Sequence, residues 1–134
     1  MADVSHRHKF PATLRLKSKK QIAALFTNKT SVFNHPLLLK YNIEPIEGLP
    51  QVAFSVSKKL FKSAVIRNHI KRKMLEAYRL EWREHLIDIG PQKLVVMWIY
   101  IGKTDLDYHE IRSGMVKAMK ELNRRVLDFE PKKL

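Results

Sequence analysis

The chain has 134 residues and a formal net charge of +13, from 26 Lys and Arg against 13 Asp and Glu. That length suits one domain, spanning 1–134, that buries its own core without disulfides or metal. The absence of cysteine excludes thiolate catalysis and cysteine zinc sites and fits a reducing, cytoplasmic setting. So large an excess of cations points to a polyanionic partner, nucleic acid before membrane.

Residues 1–15 are basic, contain Pro11 and show little periodicity, which predicts an N-terminal arm; positive charge with no apolar run behind it is unlike a secretory signal. Ser18 is placed to cap a helix over 19–28, with Ile22, Leu25 and Phe26 at i, i+3, i+4 as its inner face. Val32-Phe33 and then Leu37 to Ile43 read as strands, Pro36 marking a break or an edge. Turn chemistry from Glu44 to Pro50 leads into an alternating strand, Gln51 to Ser57, that sends Val52, Phe54 and Val56 one way and Ala53, Ser55 and Ser57 the other. Lys58 to Ser63 links it to a long basic helix continuing through Tyr78 and Trp82 until Gly90-Pro91 intervenes.

Leu94 to Ile101 is apolar throughout, too short to cross a bilayer, and reads as a strand buried on both faces. A closing helix begins near 104–107 and places Tyr108, Ile111, Met115, Ala118, Met119 and Leu122 at helical spacing. Residues 128–134 are predicted to fray. The order α-β-β-β-α-β-α predicts an α+β fold, a compact two-layer α-β sandwich in which the basic helix joins two strands of one sheet.

In that helix Ile66, Ile70, Met74 and Ala77 fall on one side, and Arg67, Asn68, Lys71, Arg72 and Arg79 roughly opposite. A merely solvated helix interleaves signs, whereas between Lys58 and Arg79 the one carboxylate is Glu76. Like charges so placed repel, and an anionic partner relieves them. Arg67, Lys71 and Arg72 suit successive phosphates, while Asn68 can donate to a phosphate or ribose oxygen and accept from a 2'-OH. A membrane-surface helix needs Trp, Phe or Leu on its free face; here the apolar side is needed for the core, so no membrane partner is expected, and protein oligomerisation is not indicated.

Signals for chemistry by the protein itself are poor. Asp105, Asp107 and Glu110 could be drawn as a metal cluster, but they precede and open an apolar-periodic segment and read as helix-capping acids. His6 and His8 lie near the chain end, and His85 and His109 have no partner evident in sequence. No Ser/His/Asp or Cys/His arrangement, Gly-rich phosphate loop or zinc spacing is present, so no catalytic residue, metal site or bound cofactor is assigned.

The segment Ala64-Val65-Ile66-Arg67-Asn68-His69-Ile70-Lys71-Arg72, preceded by Ser55-Val56-Ser57-Lys58-Lys59, closely resembles the signature of the bacterial ribonuclease P protein component family. That signature is an Arg-Asn-x-hydrophobic-Lys-Arg helix after a strand ending Ser-Val-x-Lys-Lys. The early helix with Phe26, the Ala77 to Leu80 continuation, the apolar strand and the closing helix follow the family order, over roughly residues 10–125. The chain departs at His69 and Leu75, where many members are basic, and at Leu60-Phe61-Lys62, where many have a Gly.

The resemblance implies a ribosomal-protein-domain-like sandwich whose βαβ crossover is left-handed, against the usual rule. It implies a subunit of the ribonucleoprotein endonuclease that removes the 5' leader from precursor tRNA, with ribonuclease P RNA and the leader as partners, catalysis in the RNA subunit, and Mg2+ required by the assembly. It also implies a leader cleft between the first helix and the sheet. There Phe26 and Tyr41 would offer flat surfaces to bases, Lys58 and Lys59 would join the anionic contact, and Ser55 would face the cleft. Core packing competes for both aromatics. A ribosomal or other structural RNA-binding protein, which needs no cleft, is the alternative function.

Overall fold

A computed structural model describes residues 12–86 and 89–129. Three α-helices, α1 (Lys19–Thr27), α2 (Ala64–His85) and α3 (Tyr108–Phe129), accompany four strands, β1 (Ser31–Asn34), β2 (Leu37–Glu44), β3 (Gln51–Val56) and β4 (Lys93–Tyr100). The element order is the expected one, and helix and strand bounds fall within a few residues of those read from periodicity. Residues 1–11 of the N-terminal arm and 130–134 of the tail, with His6 and His8, lie outside the described residues.

The strands form one mixed sheet in the order β1-β2-β4-β3. β2 pairs antiparallel with both β1 and β4, while β3 pairs parallel with β4, Ser55 opposite Ile99 and Val56 opposite Tyr100. A parallel neighbour needs a crossover connection, and α2 supplies it. Side chains alternate across the sheet: Leu37, Leu39, Tyr41, Val52, Val56, Leu94, Val96, Trp98 and Tyr100 meet α2 and α3 in the main core. On the opposite, outer face, Val95 and Met97 meet Leu16 and Leu25 in a smaller cluster under α1. The principal sandwich therefore has two layers, with α1 covering part of its outer side.

Two expectations are corrected. The arm does not extend to residue 15: Ala12–Leu14 forms a 3-10 turn, Leu14 and Leu16 are buried, and Leu16 N donates to Val52 O at 2.8 Å. The segment docks on the edge of β3, where Arg15 bridges to Val52, and it straddles the sheet: Leu14 joins the main core and Leu16 the cluster under α1. Phe26 is not part of the inner face of α1. Leu25 is fully buried there, but Phe26 is 47% exposed.

Helix α3 crosses the β1-β2 turn at Gly114, where a Cβ would lie 2.7 Å from His35 O and 3.1 Å from Asn34 O. Helical propensity favours Ala over Gly by about 1 kcal/mol, but the obstructing atoms are backbone carbonyls that cannot rotate away. Gly114→Ala is therefore expected to lower stability by about 1–2 kcal/mol in spite of propensity. Urea denaturation measures this, and a stabilised variant would show that the turn yields easily.

Candidate nucleic-acid interface

Ser63 caps α2 through its side chain, which accepts from Ile66 N at 3.3 Å. The buried stripe of the helix is Ile70, Met74, Ala77, Tyr78, Glu81 and Trp82. Ile66, expected in that stripe, is 40% exposed, and the stripe begins one turn later at Ile70. Asn68, Lys71 and Arg72 are exposed, and none of their side chains is engaged by another described residue. Lys58 and Lys59 are exposed in the turn after β3, where Ser57 Oγ accepts from Lys59 N at 3.1 Å.

Arg67 is placed differently from expectation. One turn before Ile70 it flanks the buried stripe instead of opposing it, and it is half-buried. Its Nη1 donates to Phe61 O at 2.7 Å and to Lys62 O at 3.0 Å, which ties the entry loop to the helix. Arg79, also expected on the free face, is half-buried and bonded to Glu76, with Nε to Oε1 at 3.1 Å.

Lys71 and Arg72 border a groove of about 420 Å³ along the β3 edge, beside the docked Arg15 and Leu16. Leu16, Ile22, Ala53 and Leu75 give it apolar walls, and Arg15, Asn68, Lys71 and Arg72 bring polar and cationic groups to it. The groove thus joins α1, the strand edge and the basic helix. Arg15, Leu16 and Leu75 were not singled out as site residues by sequence reasoning; two apolar residues, Leu14 and Leu16, within an otherwise basic segment are the local signal that it packs against the fold.

On the outer face α1 is fastened by side chains. Asn28 Nδ2 donates to Tyr41 O at 2.8 Å, and Lys40 Nζ donates to Phe26 O at 3.0 Å and Asn28 O at 2.8 Å. Ser55, half-buried, lies on this face, as its pairing with Ile99 requires. Tyr41 does not. It alternates in register with Leu37 and Leu39, is 8% exposed and belongs to the main core on the other side of the sheet, so it shares no cleft with Phe26. Strand parity separates the two aromatics that were paired in expectation.

Helix α2 also holds the loop before α3. Asp105 receives Lys73 Nζ at 2.5 Å and pairs with His69 Nδ1 at 2.9 Å, while Lys73 Nζ also donates to Leu106 O at 2.6 Å. Partial burial works against ionisation of Asp105, but the bonds and charges of Lys73 and His69 prevail and hold its carboxyl below the usual range. Of the acids read as caps, Asp107 caps α3, its Oδ1 accepting from Glu110 N at 3.0 Å, and Asp105 serves as the inter-element clamp instead. Glu81, Glu84 and His85 place one potential ligand atom each within 4.8 Å of one another. The buried Glu81 carboxylate is already bonded to Arg112 Nε at 2.7 Å, which makes the group an ion-pair network bridging α2 and α3.

A mixed four-stranded sheet, a crossover helix with a free cationic side and an apolar groove beside it define a small α+β nucleic-acid-binding domain. The chain belongs to the Ribonuclease P family, whose profile matches residues 10–123. It is 33% identical over 109 residues to the ribonuclease P protein component of Streptococcus mutans, covering 79% of this chain and 83% of that protein. With the protein of the same name from Streptococcus gordonii it shares 34% identity over 109 residues, with the same coverage of each. The solved RNase P protein of Thermotoga maritima has the same fold, with a TM-score of 0.65 at 18% identity over 80% of this chain and 96% of that one.

The different placements of Arg67 and Arg72 separate folding from binding. Arg67→Ala should cost about 1–2 kcal/mol of stability, because two loop carbonyls lose a charged donor. Arg72→Ala should leave the urea midpoint almost unchanged yet flatten the log-log salt dependence of RNA binding by about 0.7–0.9, one phosphate contact. Equal stability loss in both variants would refute the distinction.

A second expectation concerns acid. The lowered folded-state pKa of Asp105 means its stabilisation is present above the unfolded value and lost as pH falls through the folded one. Asp105→Asn should therefore cost about 0.5–1 kcal/mol at neutral pH for a partly exposed pair. The gap should close progressively below about pH 4, as denaturation at several pH values would show.

Proposed function

We propose that the chain acts as the protein subunit of a ribonuclease P ribonucleoprotein, binding both its RNA subunit and the 5' leader of precursor tRNA. The observation that carries this reading is the groove between α1, the β3 edge and α2, in which apolar walls stand beside the unengaged Asn68, Lys71 and Arg72. A single strand calls for that combination of cations along its backbone and apolar surface under its bases. Exposed Phe26 lies on the α1 side, and Lys58 and Lys59 extend the positive surface past β3.

Bond cleavage is assigned to the RNA subunit. The described residues hold no nucleophile-base pair beside the groove, so the protein's part is to hold substrate and to lower repulsion between two polyanions. We assign the magnesium requirement to the RNA as well, since the Glu81, Glu84 and His85 group has its buried carboxylate committed to Arg112. No helix among the described residues is long and apolar enough to cross a membrane, and the proposed setting is the cytoplasm, where tRNA is matured in bacteria.

Precursor tRNA cleavage with the protein alone, a bacterial ribonuclease P RNA alone, and both together tests the proposal. At low magnesium and moderate salt only the combination should cut efficiently at the mature 5' end. Efficient cutting by the protein alone would overturn it. Within the active assembly, Phe26→Ala should weaken leader-bearing precursor by about 1–3 kcal/mol while sparing mature tRNA. Loss of both ligands together with folding would instead return Phe26 to a packing role.

A further inference from the structure

The outer face of the sheet has a second feature beside the cluster under α1, which it meets at Ile99. Phe33 of β1 pairs with Leu38 of β2, Leu38 with Ile99 of β4, and Ile99 with Ser55 of β3. Residues paired across strands point to the same side, so these four side chains form one row across the whole sheet. We propose that this row is a stacking shelf for an unpaired base of the precursor's leader, with the Phe33 ring as its platform. The inference rests on the leader-binding reading above and adds a residue and a surface to it.

Phe33 is 63% exposed on an edge strand, an unusual place for a large aromatic ring, while Leu38, Ile99 and Ser55 are half-buried. One exposed apolar residue alone would mean nothing. Here three apolar side chains are neighbours, and the row spans about 14 Å at about 4.8 Å per interstrand step. α1 packs on the rows of Val95 and Met97. It ends beside Lys40, whose ammonium closes the helix by bonding Phe26 O and Asn28 O. Lys40 is two residues from Leu38 on the same face, so the shelf begins one row beyond the end of α1 and continues the surface that presents Phe26.

Charge selects the occupant. A second copy of a chain with net charge +13 would be repelled, whereas a polyanion is drawn in. At the Ser55 end the chain leaves β3 toward exposed Lys58 and Lys59, placing cations where the backbone of a strand lying on the shelf would pass. An aromatic face accepts any base without reading its edge, so Phe33 should add affinity and leave sequence preference largely unchanged.

The test compares the parent with Phe33→Ala, Phe33→Trp and Phe26→Ala in complex with ribonuclease P RNA, titrated with leader-bearing precursor tRNA and with mature tRNA. Phe33→Ala should weaken precursor binding by roughly 5- to 100-fold, spare mature tRNA and keep the parent's urea midpoint. Phe33→Trp should restore affinity. If Phe33→Ala binds precursor as the parent does, or weakens both ligands equally, or shifts the protein's own sedimentation, the shelf is refuted. Should Phe26→Ala discriminate the two ligands while Phe33→Ala does not, the shelf alone fails. Should neither discriminate, the leader reading falls with it.

Discussion

The structure depends on β4 being apolar on both faces. Leu94, Val96, Trp98 and Tyr100 enter the main core while Val95 and Met97 form the floor beneath α1, all at 1% exposure or less. A strand so composed is stable only in the interior of a sheet with layers on either side. Its two neighbours then differ in direction. β2 pairs antiparallel with β4 although β3 and the basic helix lie between them in the chain, whereas β3 is parallel and reaches β4 directly through that helix. The basic helix is thereby fixed against the sheet with its start beside the β3 edge. The groove follows from that constraint, because the edge strand, the docked Leu14–Leu16 segment and α2 converge there.

The cations of the basic helix divide by the angle at which they leave it. Those on the flanks of the buried stripe are drawn into architecture: Arg67 binds the entry loop and Lys73 the loop before α3. Those further round, Lys71 and Arg72, with the neutral Asn68 beside them, meet no partner among the described residues. The first turn of the helix contains no acid, so its N-terminal end keeps a positive potential that neighbouring cations reinforce. His69 does not add to that surface in the way its position suggests, because it is paired with Asp105. Charge count therefore overstates the free cationic surface, and geometry selects the side chains that remain on it.

Much of this was legible in the sequence because periodicity is local. The strand Gln51–Val56 showed its two faces, the run at 94–101 showed its burial, and the motif around Arg67 to Arg72 indicated the family. What sequence could not show was which side of the sheet each strand face would meet. Tyr41 and Phe26 were both aromatic and both near the supposed cleft, yet the parity of β2 sends Tyr41 into the core. Arg67 looked like its neighbours in composition and differed by its angle from Ile70. Asp105 resembled a capping acid because its partners, His69 and Lys73, lie over thirty residues away in sequence.

The fastening of α1 sets the order in which the molecule comes apart. The large core binds α2, α3 and the sheet into one cooperative unit, while α1 rests on a cluster of four buried side chains and a few side-chain bonds from Asn28, Lys40 and Gln21. Segments with few buried contacts open at lower free energy than the global transition. The amides of α1 should therefore exchange with solvent through a partial opening that leaves β4 closed. One wall of the groove is thus hinged on a low-energy opening while the opposite wall, α2, belongs to the rigid body of the fold, and the groove can widen without the protein unfolding.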